Sequence, residues 1–237
     1  MKKHSRIKSF FINLGLVILL IIGVALIFNN QIRNYLMKEN TETYTVSKVT
    51  REEVKTNLDK EANFDFEQVK SVSLESVLRA QLEDKVLPVI GGVAVPSVEI
   101  NLPIFKGLDN TALMYGAGTF HPEQQMGEGN YALASHRIEN ADILFSNLHQ
   151  VNLGDKIYLT DLENIYTYEI TVSKRIEPTQ VEVVDPVPGE TLVTLITCGE
   201  ASGVTRWLVQ GELVKQTTVE EADKKIADIF EMKQKTF

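Results

Sequence analysis

The sequence predicts a mostly-β domain, a barrel or a sandwich, set behind one membrane-spanning helix. Three features lead there: a charge-free apolar run near the start, a polar stretch without proline or glycine, and a series of short β-rich segments divided by turns. The first is "FFINLGLVILLIIGVALIF", residues 10–28, nineteen residues with no charge. At 1.5 Å of rise per residue it makes about 28 Å of helix, close to the roughly 30 Å hydrocarbon core of a bilayer. A cleaved signal peptide has a shorter apolar stretch of about 7–15 residues ending in a small-x-small site. "IFNNQIRNY" offers no such site, so an uncleaved anchor is expected. Lys2, Lys3, Arg6 and Lys8 precede the run. Basic residues on that side keep the N-terminus in the cytoplasm and place everything after residue 28 outside the cell.

The second feature, residues 29–75, is polar and charged and reads as an extracellular spacer with short helical patches such as 50–58. The third begins beyond it. The stretches 91–105, 131–135, 155–161, 166–178, 191–198 and 206–214 are rich in β-branched or aromatic residues. Turn chemistry divides them, including Gly91-Gly92, Gly154-Asp155 and Pro188-Gly189. Two helical patterns interrupt: 73–84, with Leu74, Val77, Leu78 and Leu82 on one stripe, and 140–150, with Asn140 as N-cap and Ile143, Leu144 and Leu148 inward. The tail, 216–237, is charged, with an amphipathic helical pattern over 217–230 whose apolar face either docks on the domain or lies exposed.

Charge narrows the function. The chain carries −8, its first 28 residues hold four bases and no acid, and −12 therefore falls on the remainder. So acidic a domain repels phosphate backbones, and no basic stripe offsets this, so nucleic-acid binding is excluded.

Cys198 is the sole cysteine. Outside the cell an unpaired cysteine cannot staple the fold, and it is a reactive thiol, an intermolecular bridge or a buried inert thiol. Alternation in "VTLITC" puts Thr194, Ile196 and Cys198 on one face of a strand. Seven residues, "GEASGVT", then lead to "RWLVQGEL", and two glycines in so short a link suggest a hairpin. Antiparallel pairing makes Arg206 a neighbour of Cys198, where a guanidinium favours thiolate and can donate to an oxyanion. A cysteine nucleophile also needs a proton shuttle, most often histidine. His4 is cytoplasmic and His149 follows a surface pattern. His121 sits in a glycine-rich loop, whereas His136 directly follows "YALAS" at a strand end, the better place to present it.

"TLITC", the arginine eight residues later, and "ALASHR" upstream resemble the sortases, class A in particular. The likeness covers roughly residues 80–215, and "YGAGTFHPEQQMGEGNYALASHR" resembles streptococcal members most. The resemblance implies a single closed eight-stranded β-barrel over 76–215 with a few short helices. It implies a membrane-anchored cysteine transpeptidase in which Cys198 attacks the Thr–Gly bond of a Leu-Pro-x-Thr-Gly sorting signal, forming a thioacyl intermediate. In this pattern His136 is the general acid/base and Arg206 steadies the oxyanion or the substrate backbone. Thr197 matches a threonine that assists the oxyanion. Ala132, Ala134, Ile196 and Leu208 match positions lining the groove for the Leu-Pro part. Residues 176–190 match the loop that closes over the signal. The implied partners are surface proteins bearing the signal, the amine of a lipid II-type cell-wall precursor, and membrane lipid around the N-terminal helix.

Some class A members bind calcium through acids ahead of the histidine and one in the substrate loop. Here the supply is Glu123 and Glu128, with Glu177 and Glu182 in the loop. Calcium takes six to eight oxygens, so no metal or other cofactor is expected. Two rival readings are a non-catalytic anchored binding domain and an L,D-transpeptidase. The first leaves the Cys, His and Arg spacing unexplained. The second requires glycine before the cysteine, where this chain has Thr197.

Overall fold

The computed structural model describes residues 2–41, 44–82, 87–138, 141–200 and 203–231. Eight strands close a barrel: β1 (Val89–Val95), β2 (Ile100–Phe105), β3 (Ala117–Thr119), β4 (Asn130–Ala134), β5 (Lys156–Thr160), β6 (Asn164–Ile176), β7 (Leu192–Cys198) and β8 (Arg206–Thr218). Their order around it is β1-β2-β3-β4-β7-β8-β6-β5. The β2/β3 and β4/β7 pairs are parallel and the others antiparallel. Closure leaves no open sheet edge, and the interior fills with Phe105, Leu133, Phe145, Leu159, Tyr168 and Leu195, all buried.

Two stretches expected as single elements differ. The run 91–105 is a hairpin, because Pro96–Val98 forms a tight turn and Glu99 takes φ 58, reversing the chain so that Val95 faces Ile100. The pattern at 140–150 makes no α-helix. Leu144 sits at φ 54, and Phe145 N–H turns back to the His136 carbonyl at 3.1 Å. Ile143, Leu144, Phe145 and Leu148 are nonetheless buried, so their spacing fills a plug beneath the end of β4. Asn140, the expected cap, lies outside the described residues.

Helix α1 (Lys2–Ile27) contains, at Ser9–Ile27, a stretch long and apolar enough to cross a membrane. Helix α2 (Asn29–Thr41) follows, then α3 (Arg51–Leu58) and α4 (Leu74–Leu82). The α4 stripe turns on Val77 and Ala80, which are buried, while Leu78 and Leu82 are exposed.

The expected spacer is, from residue 44 to 72, a belt on the barrel. Thr50 caps α3 in a reciprocal box with Glu53. Val46 and Val54 are each 2% exposed. The α3 segment is tied down by Arg51 Nε–H to Leu162 O and by Asn57 Nδ2–H to Val89 O at 2.5 and 2.8 Å. Few apolar residues are enough here because their contacts are with the barrel rather than with one another. The C-terminal helix α5 (Lys224–Glu231) also docks, bringing Phe230 up to Val46 and Gly92 of β1. Its last strand, β8, reaches Thr218, past the expected domain end at 215.

Candidate active site

Three neighbouring strands, β4, β7 and β8, build the site. Across the antiparallel β7/β8 pair Cys198 faces Arg206, Ile196 faces Leu208 and Thr194 faces Gln210. Along β4 the same face carries Asn130, Ala132 and Ala134, with Ala134 beside Ile196. The sheet face therefore runs from a reactive end through an apolar middle to a polar end.

At the reactive end, the link between β7 and β8 is held closed. Glu200 accepts from the N–H and hydroxyl of Thr205 at 2.5 and 2.7 Å, and Gly199 N–H donates to Thr205 O at 2.9 Å. Those hydrogen bonds from Thr205 hold the Glu200 carboxyl below the usual carboxylate range. Gly203, at φ 69, turns its carbonyl to Arg206, whose Nη1 donates to it at 2.7 Å and to Thr205 O at 3.1 Å.

His136 stands two residues beyond the end of β4. Its position relative to Cys198 is set by three bonds between the strand ends: Ser135 N–H to Ile196 O at 3.2 Å, Thr197 Oγ1–H to Ser135 O at 2.8 Å, and Arg137 Nη1–H to Gly199 O. Ser135 in turn donates its hydroxyl to Gly116 O at 2.7 Å. Burial pushes His136 down to about 4, so its ring is neutral at neutral pH. His136 Nε2 and Arg206 Nε are both buried with no hydrogen-bond partner. A buried polar group left so costs about 1–3 kcal/mol, which a substrate atom that supplies the partner recovers.

Cys198, His136 and Arg206 line one cleft of about 520 Å³ together with Ser135, Thr197, Ile196 and Ala134. Beside it runs an apolar groove lined by Phe66, Phe120, Val181, Val183, Val184 and Ile196. Ala132 and Leu208 lie buried beneath it, packed with Ile196, with Ile176 at the end of β6 and with Val184 of the loop between β6 and β7. Ala134 falls in the adjoining cluster with Leu108 and Leu113. The four groove residues expected from the resemblance are thus on one face. Thr197 also lines the cleft, but from the strand face opposite Cys198: it is 3% exposed and donates its hydroxyl proton to the Ser135 carbonyl, which ties the two strand ends together.

His121 is elsewhere: its ring lies 3.9 Å from Asp185 at the far end of the β6/β7 loop. His149 packs edge-on against Trp207, on the other face of β8. Glu123, Glu128 and Glu177 are all exposed, and among the described residues no three His, Cys, Asp or Glu side chains group as metal ligands.

Sequence reasoning missed the belt's part in the cleft. Phe66, Val69 and Lys70 line it, the Arg206 guanidinium sits 5.7 Å from the centre of the Phe66 ring, and Phe66 stacks on Phe120 at 5.4 Å. No local pattern in "NFDFEQVKS" signals this. It also missed Arg137, although the residue stands next to His136.

Fold and site together define a cysteine transpeptidase. Residues 93–214 match the sortase domain, and the chain belongs to the sortase family. Its similarity is to members named sortase A. That of Streptococcus agalactiae serotype III (strain NEM316) is 43% identical over 241 residues, 98% of each chain. That of Listeria monocytogenes serovar 1/2a is 42% identical over 200 residues, 84% of this chain and 90% of the relative. The solved structure of Listeria monocytogenes sortase A superposes with TM-score 0.57 at 41% identity, covering 61% of this chain and 99% of that one.

Proposed function

We propose that this transpeptidase cleaves the Thr–Gly bond of Leu-Pro-x-Thr-Gly signals in surface proteins and passes the threonyl acyl group to the amine of a lipid II-type cell-wall precursor. The observation that carries the reading is the cleft in which Cys198 faces Arg206 across β7/β8 while His136 lines the same wall beside an apolar groove. The groove suits a Leu-Pro segment, and the groups beyond its end suit acyl transfer.

The chemistry follows from those groups. Cys198 Sγ attacks the threonine carbonyl carbon, and neutral His136 accepts the thiol proton. The carbonyl electrons move to oxygen, where Arg206, with Nε–H unpaired by protein, is placed to donate. Burial disfavours the imidazolium that has formed, so it gives its proton readily to the glycine nitrogen as the C–N bond breaks. A thioester to Cys198 remains. The acceptor amine then attacks the same carbon, its proton passes to His136, and the returned proton leaves the thiol as it began.

Residues 10–28 are the anchor in this reading, with the basic tail cytoplasmic and the barrel outside. No cation is invoked, on the small supply of acids at Glu123, Glu128, Glu177 and Glu182 against the six to eight oxygens that calcium takes. The test uses the full chain in detergent micelles with a Leu-Pro-x-Thr-Gly peptide and an amine acceptor. Cleavage at Thr–Gly and amine-dependent product are expected, both lost in Cys198→Ala. Activity in that variant, or an intact peptide alongside cleavage of a different motif, overturns the assignment.

A further inference from the structure

The polar end of the sheet face has no part in the chemistry above, yet it is built with care. Gln210 Nε2–H donates to Thr194 Oγ1 at 2.9 Å, and Thr194 donates its hydroxyl to Asn130 Oδ1 at 2.7 Å. Asn130 Nδ2 then donates both its hydrogens, to Val183 O at 3.0 Å and Asp185 O at 3.1 Å. Every bond in this series points the same way, so each polarises the next. Thr194 is 0% and Asn130 3% exposed, so water does not compete for these groups.

The two accepting carbonyls flank Val184. That residue is itself buried, packs on Ala132, Ile196 and Leu208, and with Ile196 lines the apolar groove. The loop it belongs to is otherwise thinly attached. Its short turn, Val181–Val184, leaves Val181 and Glu182 exposed, as is Asp185 after it; Val183 packs only in part, and a further polar side-chain tie is the His121–Asp185 contact at 3.9 Å.

We propose that Gln210, Thr194 and Asn130 form a buried pin that seats Val184 and so sets the width of the groove, making Asn130 and Thr194 specificity-determining positioning residues. The pin acts on the wall that grips the apolar part of the signal and leaves the reactive end untouched. This rests on the sorting-signal reading for its substrate but not for its structural basis. Without the pin the loop samples wider positions, and the signal must order it on binding. The penalty then falls on KM while kcat is spared.

The test compares Asn130→Asp, Thr194→Val and Thr194→Ser in the full chain in micelles. Asn130→Asp keeps the acceptor for Thr194 but faces two carbonyl oxygens with a carboxylate, and a KM rise of about tenfold or more is expected. Thr194→Val keeps shape without the hydroxyl, for a rise of about three- to tenfold, and Thr194→Ser restores KM to within about twofold. The kcat and the alkylation rate of Cys198 by iodoacetamide stay as in the wild type, while amide exchange at residues 182–185 speeds up in the first two variants. An unchanged KM with faster exchange overturns the proposal, as does a joint fall in kcat and alkylation, which marks a merely structural role. Should the wild type leave the peptide intact, the sorting reading fails. Amide exchange then still decides the pin, with unaltered exchange in Asn130→Asp overturning it.

Discussion

The two sides of the cleft are held by different means. The reactive side sits on strand ends, where ladder bonds between β4, β7 and β8 fix Cys198 opposite Arg206 and three further bonds place His136. The recognition side is a loop attached through a few side chains, chiefly Asn130. The contrast teaches that geometry for bond-making is borrowed from the sheet, whose rigidity comes with the fold. Geometry for gripping a peptide is left adjustable, because a wall that must admit a chain has to move.

The comparison breaks first on the reactive side. Cys198→Ala is expected to remove turnover entirely while leaving the melting temperature near the wild-type value, since the side chain closes no core. His136→Gln should lower kcat on the order of 10²–10⁴-fold in the peptide assay, the range for losing a general acid/base. Arg206→Lys keeps the charge but loses the guanidinium, whose Nη1 bonds the Gly203 and Thr205 carbonyls and whose Nε–H is left for substrate, and a loss on the order of 10²-fold in kcat/KM is expected. A lysine variant of full activity means that charge alone suffices there.

Beneath the groove, Leu208→Ala removes a side chain 2% exposed, at about 2–5 kcal/mol by chemical denaturation. Next comes pH. The unfolded chain protonates His136 near 6.5 and the folded one only near 4, so between those values the unfolded state binds more protons. Stability should therefore rise with pH across that window, and His136→Gln should flatten the rise. The smallest effect is expected at the exposed tie. His121→Gln removes a contact worth about 0–1 kcal/mol and should move KM by less than about twofold.

Much of this was legible in the chain. Alternation in "VTLITC" and a short glycine link are enough to set Cys198 against Arg206, because both rules are local. His136 was readable from its place after an apolar strand. What escaped depends on contacts between distant segments. β3 has three residues, too few for a pattern. Ile143, Leu144 and Leu148 have helical spacing, but the left-handed backbone at Leu144 follows from bonding to the His136 carbonyl. Nothing local in the sequence singles out Asn130, whose role needs a loop more than fifty positions away in the chain.

Phe66 carries a practical consequence. A soluble fragment begun at the apparent domain boundary near residue 75 discards Phe66 and Val69 from the cleft and uncovers the barrel surface beneath Val46 and Val54. Such a fragment presents a different enzyme to its substrate, with one wall of the cleft missing and fresh apolar surface inviting self-association. Rates and inhibitor affinities measured on it describe the truncation as much as the protein, and fragments should start ahead of Tyr44.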